Sequence, residues 1–181
     1  MATVRGWLAL LLIGIAGVAQ GQRTEASEAS LKAAYLFKFA GYIEWAASDF
    51  DSPAAPLAIG VVGADDVAAE LSRLVAGRSV AGHPVAVKRF AEGEAPRGVQ
   101  MLFVGRDTPR LPAIARAAQG RGMLVVTDIE GGLEMGAAIN FLALGERMGF
   151  EVSLDSAEKS GHRISSRMLN VARRVVQKGA G

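Results

Sequence analysis

The chain has 181 residues, half of them hydrophobic, which is enough for one domain with a substantial core. Its formal net charge is +2, and no basic run is interleaved with aromatic residues, so a nucleic-acid partner is not indicated. The absence of cysteine excludes disulfides, thiol nucleophiles, cysteine metal sites and a lipid-modified N-terminal cysteine.

The N-terminus has the pattern of a secretory signal peptide over residues 1–19. Arg5 supplies the positive charge, and the apolar run over 7–18 is short for a membrane span and ends in small residues suited to cleavage. The alternative is an uncleaved N-terminal anchor. With cleavage, we expect a periplasmic protein with a flexible segment over 20–30 and a single domain over 31–178.

The first predicted helix runs from about Glu28 to Ala47. It carries two apolar stripes, one of Leu31, Tyr35, Tyr42 and Trp45 and one of Leu36, Phe39, Ala40 and Ile43. Apolar residues on both sides favour a central core helix. The alternative is that the aromatic stripe contacts a partner or a second copy of the chain.

The middle of the chain alternates between strand and helix patterns. Strands are predicted over 57–62, 84–90, 99–104 and 123–126, and helices from Asp65 or Asp66 to about 76 and over 109–119. The junction after the first of these strands, at Gly63, invites comparison with a phosphate-binding loop. It lacks the full glycine fingerprint and the P-loop lysine, so an ordinary strand-to-helix turn is favoured.

The C-terminal part predicts a β-hairpin, a short helix over 154–160 and a final helix over 164–176. Gly145 at the first turn position suits a type II′ turn, which places three cross-strand pairs opposite each other. These pairs are Phe141 with Phe150, Ile139 with Val152, and Asn140 with Glu151. If the final helix covers the polar face, Arg167 can pair with Glu151, with Glu44 as another potential partner. This set either ties helix to sheet or lines a ligand or partner site.

These elements predict an α/β fold: a single domain whose mixed β-sheet has a parallel centre and an antiparallel C-terminal hairpin and is sandwiched by helices. No catalytic constellation stands out. His83 and His162 have no metal-ligand spacing around them, and Ser165 or Ser166 is read as a helix cap. Asp128, at a strand end, is compatible with a catalytic carboxylate but is more typical of a turn cap. The sequence therefore predicts no enzyme, no metal and no cofactor.

Two stretches carry a resemblance to a known family. The first is Lys32-Ala-Ala-Tyr-Leu-Phe-Lys-Phe-Ala-Gly-Tyr-Ile-Glu-Trp; the second is Ala-Ile-Asn-Phe from Ala138, then Gly-Phe-Glu-Val, then Ile-Ser-Ser-Arg-Met-Leu-Asn-Val-Ala-Arg-Arg-Val. In order and spacing they resemble the YfiR family of bacterial periplasmic regulators, over about residues 31–177. The chain departs from the family pattern in having Ala46 after the Glu-Trp pair, where a proline is common, and in lacking cysteine.

The resemblance implies a soluble periplasmic regulator that binds and represses an inner-membrane signalling enzyme. We expect that enzyme to be a diguanylate cyclase, which links the protein to cyclic di-GMP and biofilm control. A homodimer and a small-molecule ligand stay open. The alternative function is a periplasmic small-molecule binding protein with its ligand at a switch point of the sheet. The candidate partner-binding or ligand-binding residues are Tyr42, Glu44, Trp45, Asn140, Glu151 and Arg167.

Overall fold

The computed structural model describes residues 16–91, 93–145 and 147–177, with the backbone alone for 16–27. The helices are α1 Ala16–Ala40, α2 Asp65–Val75, α3 Leu111–Gln119, α4 Leu154–Lys159 and α5 Ser166–Leu169. The strands are β1 Ile43–Glu44, β2 Leu57–Val62, β3 Ser79–Val80, β4 His83–Phe90, β5 Met101–Val104, β6 Leu124–Thr127, β7 Ile139–Leu144, β8 Arg147–Ser153, β9 Arg163–Ile164 and β10 Arg174–Val176. None of the helices in the described residues is long and apolar enough to cross a membrane.

Eight strands form one mixed sheet in the order β10-β8-β7-β6-β5-β2-β4-β3. Strands β4, β2, β5, β6 and β7 run parallel, and β7 and β8 form the antiparallel hairpin. β1 and β9 pair separately as a small antiparallel ribbon. The α/β fold with a parallel centre and a C-terminal hairpin is therefore confirmed, as is the single domain.

Helices cover both faces of the sheet. One face packs against α1 and α2, whose apolar residues join those of β2, β5, β6 and the hairpin in the larger core cluster. The opposite face packs against α3 in a smaller cluster. The four-residue strands β5 and β6 are buried along their whole length, as expected for strands covered on both sides.

The first helix differs from its prediction at both ends. Its backbone is helical from Ala16, so α1 includes residues 20–30, and residues 1–15 of the predicted signal peptide lie outside the described residues. It ends at Ala40 rather than at Ala47. Gly41 N donates to Lys38 O at 3.0 Å, a tight final turn at a residue with poor helix propensity. The next residues then pair as a strand with β9.

The C-terminal helix prediction was wrong beyond its first turn. Ser165 caps α5 as expected, accepting from the backbone N–H of Arg167 at 3.3 Å, but α5 ends at Leu169. The chain then runs as β10, parallel to β8, and takes the sheet edge that the hairpin was expected to occupy. The β-branched residues Val175 and Val176 favour a strand, and the exposed edge of β8 offers them backbone hydrogen bonds.

Two smaller details also differ. The residue at the N-cap of α2 is Ala64, without a side-chain hydrogen bond, so neither Asp65 nor Asp66 is the cap. The segment between α2 and β4, for which the sequence analysis predicts no element, contains the short strand β3, which pairs antiparallel with β4. Neither difference alters the position of the central strands.

Candidate functional site

A buried ion cluster lies where the central parallel strands end. Lys32 of α1 is 6% exposed, and its Nζ lies 2.5 Å from Asp128 Oδ2 and 2.6 Å from Glu28 Oε1. Arg106, which follows β5, donates from Nε to the same Asp128 oxygen at 3.1 Å and also pairs with Glu28. The Asp128 carboxylate is 6% exposed, and its Oδ1 has no hydrogen-bond partner within the described part of the chain.

The cluster borders a cleft of about 220 Å³ at the carboxyl ends of β2 and β5. From β2 the chain passes through α2 to β4 on one side, whereas from β5 it passes through α3 to β6 on the other. The direction of winding thus reverses between β2 and β5. In open α/β sheets this switch point is where ligands bind. The sequence-based alternative of a ligand at a switch point therefore has a matching cleft.

Two glycines shape the floor of this cleft. A Cβ at Gly105 would lie 2.3 Å from the carbonyl oxygen of Gly63, so the two loops pass each other with no room for a side chain. Gly63 has a φ of +65°, and a Cβ there would lie 2.2 Å from Thr108 Oγ1. Gly63, at the junction that the sequence analysis compares with a phosphate-binding loop, is thus required by the packing of two strand ends.

The ion cluster also sets the charge state of Glu28. The hydrogen bond from Lys32 lowers the pKa of Glu28, and the charges of Lys32 and Arg106 act in the same direction against the effect of burial. Glu28 is therefore a stable anion near neutral pH. Both cations of the cleft are paired with carboxylates.

A second feature is an exposed apolar surface beside the hairpin, which we call the hairpin patch. It consists of Leu31 and Tyr35 of α1, Leu144 and Met148 of the hairpin, and Val171 after α5. Leu31 is 41% exposed, Leu144 40% and Val171 68%. The patch lines two grooves of about 230 and 400 Å³ that share Arg147 and Met148. Tyr35 and Met148 are half-buried, and a grouping of partly exposed apolar residues along such grooves is typical of interaction sites.

The predicted polar network exists with a different arginine. The hairpin register pairs Asn140 with Glu151 as predicted, and Asn140 Nδ2 donates to Glu151 Oε1 at 2.9 Å. The guanidinium partner of Glu151 is Arg174, with its Nε 2.7 Å from Oε2, and not Arg167. Arg174 also contacts Glu134 at 3.2 Å. Arg167 is exposed on α5, because the chain leaves the helical path before that helix could cover the hairpin.

Asn140 and Glu151 are buried, with 1% and 5% of their surface exposed. The hydrogen bonds to these side chains come from neighbouring strands, which is the arrangement of a network that ties β10 to the hairpin. Asn140 Oδ1 is also buried, and it accepts from no group in the described residues.

The remaining predicted site residues lie around the β1–β9 ribbon. Tyr42 is 38% exposed and Glu44 is exposed, whereas Trp45 is half-buried and donates from Nε1 to Ala40 O at 2.8 Å. The indole of Trp45 also meets the ring of buried His162 edge-on, with centroids 4.8 Å apart. These three residues do not contact the hairpin network with which the sequence grouped them.

Local sequence patterns do not mark Lys32, Arg106 or Glu28 as site residues, and the position of Asp128 at a strand end is more typical of a turn cap. A usable signal was present. Asp128 and Arg106 both closely follow fully buried strands, and parallel strands end at the same edge of a sheet. The pair Glu28 and Lys32 has the helical i, i+4 spacing of an ion pair.

Comparison with solved structures finds matches to part of the chain. A conserved domain protein from Vibrio cholerae O1 biovar El Tor is 15% identical, with a TM-score of 0.48. The ABC domain in complex with L-Trp from Streptococcus pneumoniae is 12% identical, with a TM-score of 0.50, and the likeness shows the fold alone. Each match covers 66% of this chain and 55% of the other, so the chain spans about half the length of these structures. No curated protein matches the chain.

The two resembling stretches noted in the sequence form α1 with the β1 strand that follows it, and the hairpin with the segment after α4. A family model described as YfiR/HmsC-like matches residues 29–173, which includes both stretches and nearly the whole folded domain. The chain belongs to the YfiR/HmsC-like family.

Proposed function

We propose that this protein is a periplasmic regulator that represses a membrane-bound diguanylate cyclase by binding the cyclase's periplasmic sensory domain. The observation that carries the proposal is the hairpin patch, an exposed apolar surface in a member of a regulator family. A protein that acts by binding needs such a surface, because desolvated apolar and aromatic side chains supply most of the affinity of an interface.

The composition of the patch suggests the chemistry of the partner segment. Tyr35 and Met148 are residue types that interfaces favour, and Arg147 and Arg173 line the grooves beside them. Both arginines are exposed, and neither guanidinium makes an ion pair within the described residues. We therefore expect an apolar partner segment flanked by Asp or Glu, whose carboxylates pair with these arginines.

Repression follows from a population shift. The sensory domain exists in active and inactive arrangements, and a regulator that binds the inactive one more tightly moves the equilibrium toward it. A tenfold difference in affinity between the two arrangements corresponds to about 1.4 kcal/mol. A shift from almost fully active to almost fully inactive requires a ratio of about 10⁴. The proposal therefore requires clearly unequal binding to the two arrangements.

The test is direct binding of the purified sensory domain to the mature protein and to two variants. Leu144→Glu places a charge in the patch and should weaken binding at least tenfold. Met135→Glu is the matched control, because Met135 is 37% exposed but lies in the β6–β7 loop outside both grooves. Equal affinity of the two variants, or the absence of binding by the unmodified protein, would overturn the proposal.

Export is part of the same proposal, and it has its own measurement. Mass spectrometry of protein from the periplasm should show a mature N-terminus near Gln20 or Gln22. Cleavage after Ala19 would remove only the first four residues of α1, Ala16 to Ala19, and leave the contacts of Glu28 and Lys32 intact. An intact Met1 on protein isolated from the native host would contradict export by a cleaved signal.

A further inference from the structure

His162 is a buried histidine that lines neither the hairpin patch nor the cleft at the switch point, which we call the switch-point cleft. It lies directly before β9 and is 1% exposed. Its Nε2 lies 2.7 Å from the carbonyl oxygen of Gly122. Because a carbonyl oxygen can only accept, this contact places a proton on Nε2, and Nδ1 of the neutral ring is then an acceptor.

The Nδ1 atom faces a carboxylate without a hydrogen bond between them. It has no hydrogen-bond partner in the described part of the chain, and it lies 3.7 Å from Asp49 Oδ2, which is too long for a hydrogen bond. Asp49 ends a short 3₁₀ helix, Ala47–Asp49, and its Oδ2 accepts from the backbone N–H of Ala46 at 2.6 Å. A proton on Nδ1 therefore creates an ion pair with a carboxylate that is already held in place.

The elements around the ring carry further charged groups, but these lie in solvent. The exposed ones are on the ribbon, after the 3₁₀ helix, beside Gly122 and on α4: Glu44, Arg163, Asp51, Arg121, Glu158 and Lys159. Asp155, in the first turn of α4, is half-buried. Exposed charges are screened by water and salt, so Asp49 is the charged group that acts on the buried ring most directly.

An ion pair between Asp49 and His162 would extend the β1–β9 ribbon. The ribbon pairs only two residues from each strand, and so short a pairing has little stability of its own. His162 precedes β9, while the 3₁₀ helix with Asp49 follows β1 through Trp45. The ion pair would thus add a third connection at this end of the ribbon. Tyr42 and Glu44, which are exposed, belong to the segment that it would hold.

We propose that His162 is a pH sensor, which in mildly acidic solution binds a proton at Nδ1, pairs with Asp49 and holds the β1–β9 ribbon against the turn at Gly122. In neutral solution the ion pair is absent and the ribbon opens more readily. The proton comes from the solvent and returns to it, so the switch is reversible and needs no cysteine. It does not depend on the identity of any partner.

Trp45 reports directly on the charge of His162. The two rings meet edge-on with centroids 4.8 Å apart, and a protonated imidazole in contact with an indole quenches its fluorescence. The chain has two tryptophans, so the whole chain with Trp7→Phe leaves Trp45 as the single emitter. Its emission should fall along one titration curve as the pH is lowered from about 8 to 5, the range in which histidines titrate.

Three variants in this background assign the signal. His83→Gln is the matched control, because His83 stacks on Phe50 and contacts Ala55 O instead, and it should leave the curve unchanged. His162→Gln should abolish the curve. Asp49→Asn keeps an oxygen for the N–H of Ala46 but removes the charge, so the midpoint should move to lower pH by about half a pH unit or more.

Hydrogen exchange measures the effect on the ribbon. The amides of Asp49 and Ser165, which donate to Ala46 O and Tyr42 O, should gain protection by roughly threefold or more between about pH 7.5 and pH 5.5, after correction for the intrinsic rates. The same amides should show no gain in Asp49→Asn.

Three results would overturn the proposal: emission that does not change with pH, an unchanged midpoint in Asp49→Asn, or protection that does not increase in acid. If His162→Gln does not fold, the comparison of His83→Gln with Asp49→Asn decides the assignment. Loss of the curve in His83→Gln would place the titrating group at His83 and refute the role of His162.

Discussion

The buried pair of Lys32 and Asp128 allows a quantitative test of the ion cluster. Replacement of Lys32 by Met keeps the length and apolar stem of the side chain but leaves a buried carboxylate with one cation fewer. Removal of one partner from a buried ion pair costs about 3–5 kcal/mol. Arg106 still donates to Asp128 at 3.1 Å, so we expect the lower end of that range, about 3 kcal/mol.

For a domain of 150–250 residues, 1 kcal/mol corresponds to about 2–4 °C, so the melting temperature should fall by roughly 6–12 °C. Lys38→Met is the matched control, because Lys38 lies on the same helix and is exposed. Its loss should cost no more than about 1 kcal/mol, the contribution of a cation near a helix C-terminus. The assay is urea unfolding and thermal melting of Lys32→Met, Lys38→Met and the double variant Lys32→Met/Asp128→Leu.

The double variant separates charge burial from packing. It removes both members of the pair, so it should be less destabilised than Lys32→Met alone, because no unpaired buried charge is left. A Lys32→Met variant as stable as the unmodified protein would refute a stabilising role of the buried pair. Equal destabilisation of Lys38→Met would refute it as well.

Three further predictions concern other parts of the fold. Arg174→Ala should lower the melting temperature because it removes the guanidinium partner of the buried Glu151 carboxylate, while Arg167→Ala should leave the melting temperature unchanged. A larger loss of stability in Arg167→Ala than in Arg174→Ala would instead support the predicted C-terminal helix. Gly105→Ala should destabilise the protein strongly because the new Cβ would lie 2.3 Å from the backbone oxygen of Gly63. The control is Gly120→Ala, whose Cβ would lie at an ordinary 3.6 Å from the nearest atom, so this variant should unfold at the same urea concentration as the unmodified protein. The pKa of Glu28 is lower in the folded protein than its unfolded value of about 4.5, so the ionised Glu28 stabilises the fold above that pH. This stabilisation is lost as the pH falls through the folded pKa. Glu28→Gln should therefore make the free energy of unfolding less dependent on pH between about pH 5 and 3.

Local patterns predicted the elements that local interactions determine. The hairpin register followed from Gly145 and the alternation of apolar residues around it, and every predicted cross-strand pair was confirmed. The prediction of a final helix was wrong because interactions between distant parts of the chain determine the structure there. Its 3.6-residue stripe is a local signal, whereas the open edge of β8, which draws Arg174 to Val176 into the sheet, is set by the order of all eight strands.

The switch-point cleft could be predicted only in outline. A ligand position at a sheet switch point follows from an alternating strand and helix order, but the residues that line the cleft come from distant parts of the chain. Lys32 and Asp128 are separated by 96 positions, and nothing near either one indicates the other. Prediction of the cleft would require the strand order, in which β5 lies between β2 and β6. This order brings the carboxyl ends of the three strands together beside α1.

Repression of a diguanylate cyclase through the hairpin patch, as proposed, should be visible in the cyclic di-GMP level of the native host. Deletion of the gene should raise cyclic di-GMP, and the intact gene or Met135→Glu should restore the low level. Leu144→Glu, and a version lacking residues 2–19 that stays in the cytoplasm, should fail to restore it. An unchanged level of cyclic di-GMP after deletion would contradict repression by this protein. Full repression by Leu144→Glu, present in the periplasm at the normal amount, would contradict a role for the hairpin patch.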